Sequence, residues 1–149
     1  MGTAYGPSLY YNNLILWYDF ASAKSYTSGN TVNDLSGSAN TGTFSAATTV
    51  GSGYAQFAGT TNITTTNSFV NPQVFSASVW FNTTSTTGIK LLGFENSQTG
   101  TSSSSYDRQF VVETTGNLYW GWYTGSTVTF SYGTVNSGAW FNALVVFNN

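Results

Sequence analysis

Five side chains in this sequence are acidic, Asp19, Asp34, Glu95, Asp107 and Glu113, and three are basic, Lys24, Lys90 and Arg108. There is no histidine and no cysteine. Thiolate zinc sites, cysteine nucleophiles and histidine-based triads are therefore excluded. What remains is carboxylate chemistry, and its commonest form is sugar cleavage by two carboxyl groups held ~5–9.5 Å apart. No such pair is readable here: Glu95 and Glu113 stand alone, and Asp107 adjoins Arg108, as an ion pair or loop anchor would. The chain is expected to be no enzyme and to need no cofactor.

Asp34 is the acid with the most suggestive surroundings, in the stretch Thr31-Val-Asn-Asp-Leu-Ser-Gly-Ser-Ala-Asn-Thr-Gly-Thr-Phe44. An Asp before Leu-Ser-Gly can accept backbone N–H bonds two residues on, while Gly37 is free to take positive φ. Asp34, Ser36, Gly37, Asn40 and Gly42 are accordingly read as a structural turn motif. Weak calcium ligation at Asp34 is the alternative, although a tight site needs several carboxylate and carbonyl oxygens together. The second candidate is aromatic. In Asn117-Leu-Tyr-Trp-Gly-Trp-Tyr-Thr-Gly125, Trp120 and Trp122 share one face of a strand and Tyr119 and Tyr123 the other. One pair belongs in a core; the other is placed to stack on sugar rings or on another protein. Tyr119, Trp120, Trp122 and Tyr123 are the candidate ligand-binding residues. Gly121 between the tryptophans reads either as a flat spot for close approach or as a bulge.

The elements that must carry these residues are strands. The chain has 149 residues, a length that fits one domain, with 26 aromatics and 44 Ser plus Thr. Aromatic area on that scale argues against disorder. Three cations cannot form the basic patch that nucleic acid requires, nor one for an anionic membrane surface. No apolar run approaches the ~20 residues of a spanning helix, and residues 1–20 lack the basic start of a secretory signal. Asn62-Ile-Thr64 and Asn82-Thr-Thr84 match the glycosylation acceptor pattern, as chance alone would give in so Asn-, Ser- and Thr-rich a chain.

Apolar runs separated by Gly, Asn, Ser and Thr clusters predict an all-β sandwich. Strands are expected at 13–20, 43–49, 54–58, 62–66, 74–82, 88–95, 107–114, 117–123, 127–132 and 140–147. Tight hairpins are expected at Thr115-Gly116, Gly125-Ser126 and Asn136-Ser137-Gly138. Alternation puts Phe75, Ala77, Val79 and Phe81 on one face, and Phe141, Ala143, Val145 and Phe147 on one face of another strand. Residues 82–88 and 97–107 read as long mobile loops.

The order of motifs resembles the laminin-G-like, concanavalin-A-like jelly-roll domains common in phage and bacterial surface proteins. The residues that carry it are Leu14 to Asp19, Lys24-Ser25-Tyr26, and Asp34-Leu35-Ser36-Gly37 with Asn40, Gly42 and Thr43. The resemblance implies an antiparallel jelly-roll β-sandwich over 13–149, preceded by an N-terminal arm at 1–12. It also implies further strands beyond Asn149, supplied by a longer chain or by a partner. Where relatives carry acids after Phe-Asp-Gly, this sequence has Phe57-Ala58-Gly59-Thr60-Thr61-Asn62, too poor in charge for a tight calcium site. The glucanases of that fold set Glu and Asp at alternate positions on one strand, and no such cluster exists here. The expected function is a non-catalytic virion surface protein of phage type, for decoration, fibre or adhesion. It is expected to act as a homo-oligomer or with other virion proteins, with glycans as a candidate contact and neither nucleic acid nor membrane as a partner. The alternatives are a carbohydrate-binding module cut from a larger extracellular protein and a self-assembling extracellular fibre subunit.

Overall fold

The computed structural model describes residues 12–96, 106–123 and 126–148. Their regular structure is all β, and the chain divides into two compact units, Met1–Ser68 and Phe69–Asn149.

The first unit has short strands: β1 (Thr31–Val32), β2 (Gly42–Phe44), β3 (Thr49–Gly51), β4 (Tyr54–Gln56) and β5 (Ile63–Thr65). β1, β2 and β5 form one antiparallel sheet with β2 central, and β3 pairs with β4. Ser52 and Gly53 join β3 to β4 with both φ values positive, at 54° and 85°, the two-residue turn that suits the twist of paired strands. The core is small. Phe44 is fully buried and meets the rings of Phe20, Tyr26 and Phe57 at 5.9–6.1 Å. The strand expected at 13–20 is not one. Among the described residues that segment pairs with no strand, and side chains take up its backbone groups, as described below.

The second unit is a two-layer stack. Its strands are β6 (Val74–Asn82), β7 (Ile89–Glu95), β8 (Tyr106–Val112), β9 (Asn117–Tyr123), β10 (Thr127–Thr134) and β11 (Trp140–Asn148). One layer is an antiparallel sheet in the order β10-β9-β8-β7, and the other is the two-stranded ribbon β11-β6. β6 and β11 pair along nine residues, from Trp140↔Asn82 to Asn148↔Val74. The faces follow the expected alternation. Phe81, Ala143 and Phe147 of the ribbon are buried with Phe110, Val112, Leu118 and Trp120 of the sheet. Burial of this apolar area is the main stabilising term, at roughly 25 cal/mol per Å².

The aromatic contacts give the offset of the layers. Phe75 of β6 meets Phe94 of β7 at 5.3 Å, whereas Phe147 of β11 meets Trp120 and Trp122 of β9 at 6.3 and 5.7 Å. The ribbon therefore lies over β7, β8 and β9, and β10 projects beyond it.

One of the three expected hairpins is a connection of another kind. Thr115-Gly116 does turn β8 into β9, with Gly116 at φ 84°. Asn136–Gly138 is no hairpin: it carries the chain from β10 across to the ribbon, because β10 pairs with β9 and β11 with β6. It is tied to the stretch expected as a mobile loop at 82–88, whose first residue, Asn82, ends β6, by Asn136 Nδ2 donating to the Ser85 carbonyl (3.0 Å) and Gly138 N–H to the Thr83 carbonyl (3.0 Å). Gly125, the arm at 1–11 and most of the loop at 97–107 lie outside the described residues.

Candidate recognition surfaces

Asp34 is placed by the turn that leaves β1, and its carboxylate serves backbone. Oδ1 accepts from the N–H of Ser36 (2.9 Å) and of Trp17 (2.9 Å). Oδ2 accepts from the Ser36 hydroxyl (2.7 Å) and the Asn40 N–H (3.0 Å). Burial pushes the Asp34 carboxyl up, but the hydrogen bonds from Ser36, Trp17 and Asn40 outweigh it and hold it below the usual carboxylate range.

The neighbours extend this clamp. The Asn40 side chain is buried; its Nδ2 donates to the Ile15 carbonyl and its Oδ1 accepts from Asn67 Nδ2. Ser38 Oγ donates to the Leu14 carbonyl (3.2 Å), and Leu35 N–H to the Trp17 carbonyl (2.9 Å). Tyr18 donates its hydroxyl to the Asn40 carbonyl (2.6 Å). Burial first, and the Asp34 carboxylate second, push the Tyr18 hydroxyl well above the ordinary tyrosine range. A Cβ at position 42 would stand 2.7 Å from both Tyr18 Oη and Ile63 Cγ2, so the close approach requires Gly42. Gly37 takes φ 88°. Ser25 is fully buried, accepting from the Asp19 N–H (3.1 Å) and donating to the Asn33 carbonyl (2.9 Å). The turn motif and Ser25 thus act together, as side-chain partners for the backbone of 13–20.

Asp107 and Glu95 are likewise engaged. Asp107 Oδ1 accepts from the N–H of Arg108 (2.8 Å) and of Tyr123 (2.6 Å), and Oδ2 pairs with the Arg108 guanidinium. Arg108 is buried, donates to Asn71 Oδ1 (2.9 Å) and lies 5.1 Å from the centre of the Phe147 ring. Glu95 does not stand alone. Lys90, five residues earlier on β7, pairs with it. Register shifts between Lys90 and Leu92 and between Leu92 and Phe94 break the strict alternation. The Lys90 stem crosses Gly93, where a Cβ would lie 3.1 Å from its Cδ. Burial pushes the Lys90 ammonium down. Among the described residues, no three of the metal-ligating types His, Cys, Asp and Glu come together.

The four aromatics of β9 divide between its two faces. Trp120 is 4% exposed and lies in the core, 4.8 Å from Phe110. Trp122 is half-buried on the same face and stacks on Phe130 of β10 at 5.5 Å. Tyr119 and Tyr123 lie on the opposite face, where the Tyr119 hydroxyl accepts from Gln109 Nε2 (2.9 Å) and Tyr123 is exposed. Gly121 is neither bulge nor open spot. Its register with Gln109 and Thr129 is regular, and the Tyr119 ring covers it, 2.8 Å from where a Cβ would be.

Two further apolar surfaces were not singled out by the sequence reading. On the outer face of the ribbon, Trp80 (69% exposed), Leu144 and Val146 project to solvent. Trp80, like Val74 at the start of the strand, was legible as an apolar residue on the outward side of β6 that also carries Ser76 and Ser78. Where β10 projects, Phe130 (54%) and Tyr132 (58%) are exposed beside Trp122, opposite the last residues of β11, and together they form a groove of about 330 Å³.

No family model, curated protein or solved structure matches this chain.

Proposed function

We propose that this chain is a non-catalytic surface module of a phage-type virion, a laminin-G-like jelly-roll sandwich serving decoration, fibre or adhesion. The observation that carries the reading is how the scarce charges are used. Asp34 and Asp107 each receive several hydrogen bonds, and Glu95 is paired with Lys90. Carboxylates so engaged shape turns and strands, which supports a structural use for them over a catalytic one.

Contact with other molecules falls instead to neutral surfaces. The outer ribbon face, with Trp80, Leu144 and Val146, has the composition of a protein contact. It supports assembly as a homo-oligomer or with other virion proteins. Tyr119 and Tyr123 on the outer face of the sheet are the residues available for stacking on host glycans.

Light scattering on the pure protein, combined with a glycan array and a polysaccharide turnover assay, tests this role. The expected result is a defined oligomer with no turnover. A stable monomer that binds glycans would point to the excised carbohydrate-binding module, and turnover of a polysaccharide would remove the non-catalytic reading. Detection of the chain in particles purified from its source tests the virion assignment itself.

A further inference from the structure

We propose that the groove between β10 and β11 is a slot for one β-strand, filled by a single extended, uncharged peptide segment of another protein. The inference concerns the second unit alone and does not depend on the virion reading.

Four strands face two in this unit, and the shortfall is all on one side. The ribbon covers β7, β8 and β9, and among the described residues no strand lies above the inward faces of Phe130 and Tyr132 on β10. Among the described residues β6 is the strand paired with β11, so the second edge of β11 faces the groove. A strand laid against that edge would take up alternate N–H and C=O groups of Leu144–Asn148, over about 17 Å. Its side chains at alternate positions would lie on Trp122, Phe130 and Tyr132. β11 carries no charge and no proline, the usual devices that keep an edge from pairing.

The occupant's chemistry follows from the walls. None of the groove's ten lining residues is charged at neutral pH, so a charged segment would lose its hydration without gaining a partner. A sugar needs several placed polar side chains to satisfy its hydroxyls, and Tyr132 and Asn148 are the two side chains of the lining with amide or hydroxyl groups. A helix is about 10 Å across, whereas one strand position is ~4.8 Å wide. A second copy pairing its own β11 here is also disfavoured. Its β10 would project under this β11 just as this β10 projects under the copy's, and the two projections would occupy the same space. What fits is a lone strand with no sheet beneath it.

The test uses the full chain and a capped heptapeptide, Thr-Val-Thr-Leu-Thr-Val-Thr, followed by amide and indole NMR shifts and by hydrogen exchange. The expected result is saturable binding that shifts the Trp122 indole and the amides of Leu144–Asn148 and slows exchange at alternate residues there. N-methylating the peptide at every second residue, in the phase that faces β11, should abolish binding. Phe130→Ser with Tyr132→Ser should weaken it roughly tenfold, while Val70→Ser, at an exposed side chain outside the groove, leaves it unchanged. The proposal is overturned if no saturable shift occurs, or if both N-methylated phases bind as well as the parent. It is equally overturned if cello- or malto-hexaose moves Trp122 at lower concentration than the peptide does. Self-association that protects the β11 edge without peptide would replace the foreign strand with a second copy.

Discussion

The two units hold extended chain in place by different means. In the second, strands of seven to nine residues satisfy one another's backbones, and alternate side chains build a two-layer core. In the first, the strands have two or three residues, and the apolar segment at 13–20 is fixed by side chains. Asp34, Ser38, Asn40 and Ser25 receive or supply the hydrogen bonds that a neighbouring strand would otherwise make. The contrast shows what the chain does with its carboxylates: where the ladder is long, Asp107 and Glu95 sit within it and hold a cation each, and where it is short a carboxylate with four acceptor positions replaces it.

If the second unit depends on its core, truncating that core should have the largest effect. Phe110→Ala removes a ring that is 2% exposed and packed against Trp120, and should cost about 3–5 kcal/mol in denaturant unfolding. Next is a carboxylate of that unit that holds a buried cation. Asp107→Ala strands the buried Arg108 charge and the Tyr123 N–H, and should cost about 3 kcal/mol. In the first unit, Asp34→Ala should cost about 2 kcal/mol and speed exchange of the Trp17, Ser36 and Asn40 amides. An equal or larger loss than for Phe110→Ala would mean that the clamp, and not the core, is the principal support. The smallest effect belongs to Tyr123→Ala, an exposed side chain, within about 0.5 kcal/mol of wild type.

Much of the second unit was legible because its strands obey period two. The bounds of β6 and β9 and the faces of β11 follow directly from Val74–Asn82, Asn117–Tyr123 and Phe141–Phe147. The turn role of Asp34 was legible too, since Asx chemistry is local. Its reach to Trp17 was not, because a contact across 17 residues leaves no mark in spacing. The segment at 13–20 reads as a strand for the same reason: apolar content shows burial but not what pairs the backbone. The Lys90–Glu95 pair was hidden by two register shifts that alternation cannot anticipate. The groove depends on how many strands each layer holds, which is a property of pairing and not of any one segment.

The direct test of the central claim, that the scarce ionised side chains build structure, is a carboxyl NMR titration of Asp34 with and without calcium. Its folded value is held low, so the stability it contributes should be complete above the unfolded value of about 3.9 and be lost only as pH falls through the lower folded value. The account predicts a midpoint below ~3.9, unmoved by calcium. A midpoint at or above the ordinary value, or one displaced by calcium at constant ionic strength, would contradict it.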